Sequence, residues 1–146
     1  MTNPLMKLAT PSLCVNIDAT VEEAVATMVE GGHGAVAVTD DDRLAGIFTE
    51  RDLMQKVVNC GLAPAATPVR DVMCAGPTCV EAGANRTEAL GIMRQKHFRH
   101  LPICDESGKP VAMLSFRDLL SHQLGRLRDE VDSLEAYLMA DGPGGD

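Results

Sequence analysis

The stretch GIFTERDLM, residues 46–54, returns 66 positions later as AMLSFRDLL, residues 112–120. Both copies run from apolar residues to a Thr or Ser, then after two further residues to an Asp, and end in two large apolar residues. An internal duplication of this kind indicates two copies of one structural unit. The unit that contains this stretch therefore decides the fold.

The similarity extends toward the N-terminal side of each stretch. Met28 corresponds to Met93 at a spacing of 65 residues, whereas Asp52 corresponds to Asp118 at a spacing of 66. The second copy therefore contains one additional residue between these positions. We expect this insertion near the end of the first helix of the second copy.

Each copy has the sequence pattern of a short strand, a helix, two strands and a second helix. Thr20 with Glu23, and Asn85 with Glu88, are typical of capping boxes that begin the first helices. The segments AVAVT and LAGIF, and later LPICD and VAMLS, alternate with turns as hairpin strands do. One unit of about 60 residues is marginal for a core of its own. We therefore predict an α+β fold in which tandem β-α-β-β-α units pack as a pseudo-twofold pair.

Composition indicates a soluble, cytoplasmic protein. The net charge is −8 among 146 residues, which argues against a nucleic-acid partner because phosphate neutralisation needs clustered Lys and Arg. No apolar run reaches the roughly 18 residues of a membrane span, and the first 20 residues lack a signal-peptide pattern. The five cysteines form no C-x-x-C pair and the four histidines keep no ligand spacing, so neither a disulfide framework nor a metal site is expected.

The element order, with each unit ending in G-h-h-[ST]-x-x-D where h is apolar, resembles the CBS domain, and two in tandem resemble a Bateman module. The resemblance covers about residues 10–122, and VRDVM at 69–73 is also typical of such pairs. It implies similarity to stand-alone, bacterial-type signal-transduction CBS proteins. The implied organisation is CBS domain 1 at 10–59, a linker at 60–77, CBS domain 2 at 78–122 and an amphipathic C-terminal helix at 123–140.

The resemblance implies a regulatory function without catalysis and without a required cofactor. CBS pairs bind adenosine ligands (AMP, ADP, ATP, NAD or S-adenosylmethionine) in two clefts between the copies, and a protein partner, here unidentified, responds to the change in packing. The first alternative is a purely structural dimerisation module with unoccupied clefts. The second is a small nucleotide hydrolase, against which the chain shows no activated nucleophile, carboxylate metal cluster or P-loop.

The repeated [ST]-x-x-D motif has two compatible interpretations. It can cap the helix that follows it. At a strand-to-helix turn it can also bind a nucleotide, because free N–H groups attract phosphate and a short carboxylate can accept both ribose hydroxyls. The Thr or Ser hydroxyl could then donate a hydrogen bond to the phosphate. Gly46 of the first copy is Ala112 in the second, which would narrow the second cleft if a ligand approached the backbone there.

The resemblance implies two sets of ligand-binding residues, each drawn from both copies. The first cleft would contain Ile47, Thr49, Arg51, Asp52, Thr78, Arg99 and His100. The second would contain Leu13, His33, Gly34, Met113, Ser115, Arg117 and Asp118. Solvated surface charge is the alternative for the arginines, and core packing is the alternative for Ile47 and Met113. We equate Gly34 with His100, a difference that predicts unequal anion sites.

The C-terminal segment carries a heptad pattern. Its apolar residues alternate steps of four and three: Leu120, Leu124, Leu127, Val131, Leu134 and Leu138. One apolar face of this length favours self-association as a homodimer, and CBS pairs commonly dimerise. The alternative is a helix that folds back onto its own domain.

Overall fold

The computed structural model describes residues 4–76 and 78–141. Five helices lie within them: α1 Pro4–Leu8, α2 Val21–Gly31, α3 Glu50–Asp52, which continues as the π-helix Leu53–Val58, α4 Arg86–Lys96 and α5 Phe116–Asp141. The strands there are β1 Thr10–Pro11, β2 Cys14–Asn16, β3 Ala35–Asp40, β4 Arg43–Thr49, β5 Cys74–Ala75, β6 Val80–Glu81, β7 His100–Cys104 and β8 Pro110–Ser115. Short 3₁₀ turns occupy Pro64–Ala66 and Val69–Asp71.

The strands form two four-stranded sheets with the same internal order. In the first, β2 lies parallel to β3 and β3 antiparallel to β4; in the second, β6 lies parallel to β7 and β7 antiparallel to β8. Helices α2 and α4 connect the parallel strands in the two units. The predicted α+β fold with tandem β-α-β-β-α repeats is confirmed.

Each unit is completed by the segment that precedes the other one. Strand β1 precedes the first unit but pairs antiparallel with β8 of the second, and β5 precedes the second unit but pairs antiparallel with β4 of the first. The side chains follow the same exchange. Leu5 of α1 is fully buried in the core of the second unit, while Val69 and Val72 lie in the core of the first. Residues 60–77 therefore contribute a strand and core residues to the first unit.

A third apolar cluster joins the two sheets. It contains Ala35, Ala37, Leu44, Cys104 and Met113, with Ile47 packed against it. Because β3 and β4 meet β7 and β8 here, this cluster fixes how the two units face each other. Ile47 and Met113 thus take part in core packing, as their alternative interpretation predicted, although both also border clefts.

The helix ends locate the inserted residue and correct the expected position. The first helices end at equivalent left-handed residues, Gly32 at φ 67° and His97 at φ 59°, which keep the spacing of 65. Ala35 pairs with Thr49 in the first unit, and the equivalent pair in the second unit is His100 with Ser115. Ala35 and His100 keep the spacing of 65, whereas Thr49 and Ser115 are 66 residues apart. The additional residue therefore lies in the β7–β8 turn. A surface turn accepts an insertion readily, whereas an insertion within a helix would rotate its apolar face.

The same register corrects one further expectation, and the first sheet gives a packing reason for Gly46. Gly34 corresponds to Arg99, because their carbonyls accept equivalent hydrogen bonds from the N–H groups of Glu50 (3.0 Å) and Phe116 (2.8 Å). His100 therefore corresponds to Ala35, the next residue. Gly46 is explained by strand packing, since a Cβ there would lie 2.6 Å from the Cys74 carbonyl oxygen of β5.

Helix α5 extends its apolar residues into solvent. Leu119 is fully buried in the second core, whereas the seam residues from Leu120 to Leu138 are each at least 44% exposed. The described residues therefore do not cover the seam. None of the helices in the described ranges is long and apolar enough to cross a membrane.

Candidate functional site

Two clefts open between the units, each lined by residues from both. The Asp52 cleft lies at the β4–α3 turn and has a volume of about 780 Å³. The Asp118 cleft lies at the β8–α5 turn and has a volume of about 740 Å³. Both volumes fall in the range of small-molecule sites, roughly 300–1,000 Å³.

In the Asp52 cleft the motif forms a complete capping box. The Asp52 carboxylate atom Oδ2 accepts hydrogen bonds from the Thr49 N–H (3.0 Å) and the Thr49 hydroxyl (3.1 Å), while the Asp52 N–H donates to the Thr49 hydroxyl oxygen (3.2 Å). The capping interpretation is therefore confirmed for this copy. Because the Thr49 hydroxyl hydrogen is directed to Asp52, donating it to a phosphate would require breaking that bond.

The second oxygen of Asp52 contacts one cation and one thiol at the cleft. Lys56 Nζ lies 3.2 Å from Asp52 Oδ1, and the Cys74 thiol donates to Oδ1 at 3.6 Å. Burial, followed by the negative charge of Asp52, raises the pKa of the Cys74 thiol, so this group stays protonated as a donor. Asp52 itself is only 5% exposed. Because Oδ1 is bound only by these two side chains among the described residues, the hydroxyls of a bound sugar could replace them there.

The Asp118 cleft is lined by the equivalent motif residues of the second unit, but its carboxylate is more exposed to solvent than that of Asp52. Ser115, Arg117, Asp118 and Met113 line it, together with His33 and Gly34 from the first unit. Asp118 and Arg117 are exposed, in contrast to the buried Asp52. Thr10 of β1 also lines this cleft, and its hydroxyl donates to the Met113 carbonyl at 3.5 Å.

The two clefts meet at four shared residues: Gly34, Glu50, Arg99 and His100. The Glu50 side chain lies over Gly34 so closely that a Cβ on Gly34 would collide with the carboxylate. Glu50 corresponds to Phe116 in the second unit, so this carboxylate has no counterpart. The sequence analysis missed Glu50; its place between Thr49 and Arg51 in the repeated stretch is the signal that could have found it.

Most of the predicted site residues border one of the two clefts. The structure brings Ile47, Thr49, Arg51 and Asp52 together with Arg99 and His100 around the Asp52 cleft. Thr78 does not line the Asp52 cleft itself. Its hydroxyl oxygen accepts a hydrogen bond from Lys96, a residue that does, at 3.4 Å. Leu13 instead packs against the first core. Lys56 and Lys96 were missed, since neither belongs to the repeated motif.

No group of three or more His, Cys, Asp or Glu side chains suited to a metal ion occurs in the described ranges 4–76 and 78–141.

His100 lies at the junction of the clefts among charged neighbours. Burial lowers the pKa of the His100 imidazole; the carboxylates of Glu50 and Asp118 oppose this, while His33 and Arg99 add to it. The balance favours the neutral ring at neutral pH.

This shift predicts a pH dependence of stability. The pKa of His100 is lower in the folded chain than its value of about 6.5 in the unfolded chain, so on acidification the unfolded chain binds the proton first. The contribution of His100 to the free energy of unfolding is therefore complete above about pH 6.5 and is lost as the pH falls below it. In urea unfolding between pH 7.5 and 5.5, we expect His100→Asn to lose less stability on acidification than the parent chain. His122→Gln, which changes an exposed histidine on α5, is the matched control. Equal pH slopes for His100→Asn and the parent would contradict the prediction.

Comparison with known proteins agrees with this architecture. The CBS domain family matches residues 5–59 and 69–125. The chain therefore belongs to the CBS domain family and contains two CBS domains that form a CBS pair. It is 37% identical over 102 residues to an uncharacterised protein of Methanopyrus kandleri, an alignment that covers 69% of this chain. The chain spans 52% of that relative's length and 19% of the length of a longer relative from Schizosaccharomyces pombe.

Solved structures show the same fold. A protein with CBS domains from Burkholderia ambifaria MC40-6 is 34% identical, with a TM-score of 0.71 over 80% of this chain and 84% of the other. The cytosolic domain of the Mg²⁺ channel MgtE, solved in complex with ATP, is 26% identical, with a TM-score of 0.64 over 77% of this chain and 46% of the other.

Proposed function

We propose that this CBS pair is a non-catalytic regulatory module that binds an adenosine ligand between its two units. The supporting observation is the Asp52 cleft, which is lined by a buried carboxylate and by four cationic side chains: Arg51, Lys56, Lys96 and Arg99. A carboxylate that can accept ribose hydroxyls, beside cations that can bind phosphates, fits a nucleotide. The similarity to the ATP complex of the MgtE cytosolic domain supports the same ligand class.

The shared residues provide a mechanism for signalling. A ligand in either cleft contacts both units, so it stabilises the relative packing that suits it and shifts the population toward that arrangement. Since Glu50, Arg99 and His100 border both clefts, occupancy of one changes the electrostatic field in the other. A protein partner would recognise the resulting arrangement.

The charge balance distinguishes the clefts. The Asp52 cleft has four Lys or Arg side chains against the carboxylates of Glu50 and Asp52, a surplus of two positive charges. The Asp118 cleft has Arg99 and Arg117 against Glu50 and Asp118, which balance. We therefore assign a ligand with two or three phosphates to the Asp52 cleft, and a monophosphate or uncharged adenosine ligand to the Asp118 cleft.

Thermal unfolding with AMP, ADP, ATP, NAD and S-adenosylmethionine tests the proposal. A ligand at 100 times its dissociation constant adds about 2.7 kcal/mol of stability, which raises Tm by several degrees. GTP at the same concentration controls for general anion binding. A Tm unchanged by all five adenosine ligands would refute the proposal.

Arg99→Ala should weaken phosphate-bearing ligands selectively. Arg99 is exposed at the junction of the clefts, and loss of a charge-assisted hydrogen bond costs about 1.5–3 kcal/mol. By titration calorimetry we expect at least a tenfold loss of affinity for ATP and a much smaller loss for adenosine. Arg94→Ala, an exposed arginine of α4 outside both cleft linings, is the control. Equal losses for ATP and adenosine would instead indicate a packing role.

The alternative remains a structural dimerisation module with unoccupied clefts. It is favoured by the hydrogen bonds and ion pair that already surround Asp52 in the folded chain. The thermal experiment separates the two functions, because an unoccupied module unfolds at the same temperature with and without adenosine ligands.

A further inference from the structure

The outer part of α5 presents an apolar stripe to solvent. Leu127, Val131, Leu134 and Leu138 follow the heptad spacing and are between 48% and 62% exposed. The inner seam residues differ, because Leu120 and Leu124 line the Asp118 cleft. The seam is therefore divided between a cleft wall, formed by Leu120 and Leu124, and an exposed outer stripe from Leu127 to Leu138.

Charges beside the stripe are separated along the helix. Arg126 and Arg128 lie toward its beginning, and Asp129, Glu130, Asp132 and Glu135 follow. In heptad terms Arg128 and Glu135 flank the stripe on one side, and Glu130 flanks it on the other. The basic and acidic parts of one such helix complement those of an identical helix that runs in the opposite direction.

The two possible orientations of an identical helix give opposite electrostatics. A parallel pair places Glu130 beside Glu135 of the partner subunit, a repulsion that occurs twice by symmetry. An antiparallel pair with Val131 opposite Leu134 of the partner subunit places Arg128 beside Glu135 of the partner subunit, an attraction that also occurs twice. Opposed helix dipoles add to this preference.

We propose that residues 127–138 of α5 pair antiparallel with the same segment of a second copy of this chain. Leu127 then packs against Leu138 of the partner subunit and Val131 against Leu134 of the partner subunit, so four apolar layers close the stripe. This register is preferred to a longer one that starts at Leu120. In the longer register Arg128 would lie beside Arg128 of the partner subunit, which is a repulsion. The end of the partner's helix would also lie against the Asp118 cleft. The pairing requires no ligand and is independent of the proposed function.

The interface is small, so the dimer should be reversible. Stable interfaces bury about 1,200–2,000 Å², and twelve residues per helix fall toward or below the low end of that range. We expect a dissociation constant in the micromolar range.

Sedimentation velocity of the full chain from about 1 to 100 µM tests the pairing. We expect a concentration-dependent dimer, and Leu127→Gln with Leu134→Gln should weaken it at least a hundredfold. Both leucines are exposed in the single chain, so the variant should keep its fold by circular dichroism. Met139→Gln, which changes the 87% exposed Met139 outside the stripe, should leave the dimer unchanged.

Charge reversal tests the orientation. Glu135→Arg should weaken an antiparallel dimer about tenfold, because two attractions become repulsions, whereas it would strengthen a parallel dimer. Adding Arg128→Glu to the same chain should restore the affinity. Asp129→Arg makes the same charge change on the outward face of the helix and is the matched control. A monomeric parent chain, a dimer insensitive to the double leucine variant, or a dimer tightened by Glu135→Arg would each overturn the proposal.

Discussion

Asp52→Asn is expected to weaken adenine-nucleotide binding in the Asp52 cleft by about 2–4 kcal/mol. The substitution keeps the size of the side chain but removes the negative charge that would accept two ribose hydroxyls, and hydrogen bonds to a charged group are worth about 1.5–3 kcal/mol each. Titration calorimetry with ATP measures the loss, which corresponds to a factor of about thirty to several hundred in affinity.

Asp118→Asn is the companion variant, because Asp118 occupies the same motif position in the other cleft. It should weaken binding in the Asp118 cleft while leaving binding in the Asp52 cleft largely intact. The double variant should bind adenine nucleotide in neither cleft. Asp52 also takes part in a capping box, so urea unfolding must accompany the titration. Full affinity in a folded double variant would exclude the ribose role of both carboxylates.

Leu5→Ala is expected to lower the free energy of unfolding by about 2–5 kcal/mol, the usual cost of truncating a buried leucine. Leu5 lies at the start of the chain, yet it is fully buried in the core of the second unit. Chemical denaturation measures the loss. Met6→Ala on the same helix is the matched control, because Met6 is 38% exposed and should cost well under half as much.

The comparison of these two variants tests whether α1 is part of a core, as its burial in the second unit requires. If α1 were a solvent-exposed extension and not part of a core, Leu5 and Met6 would be equally replaceable. Similar small losses for both would contradict the placement of α1 on the second core.

The local elements could be predicted because their signals are short-range. Thr20 with Glu23 forms the capping box that the sequence indicates, and the Asn85 side chain accepts a hydrogen bond from the Glu88 N–H at 2.8 Å. Both copies of the [ST]-x-x-D motif also lie at strand-to-helix turns, as predicted. Such caps depend on residues three positions apart, so the chain carries their whole description within one helical turn.

The cleft residues outside the motif could not be predicted in this way. Lys56 reaches Asp52 because it follows on the next turn of the same helix, and Lys96 enters the cleft from the end of α4 in the other unit. Either lysine, in the sequence alone, resembles an ordinary solvated charge. The packing of the units brings Lys96 to the same cleft as Lys56 and buries the Asp52 carboxylate that Lys56 contacts.

The sequence by itself determined the duplication, the order of elements in each unit and the heptad pattern of α5, since each is a periodic or local property of the chain. Tertiary structure decided which segment completes which unit. Thr10 pairs with Met113, and Cys74 pairs with Ile47, through strands of two residues. Strands this short have no periodicity to recognise, and their partners are chosen by the hydrogen bonds and buried surface that the assembled core offers. The position of the inserted residue was likewise settled by the paired strands, because a spacing of 66 at Asp118 is compatible with an insertion anywhere between Met93 and that residue.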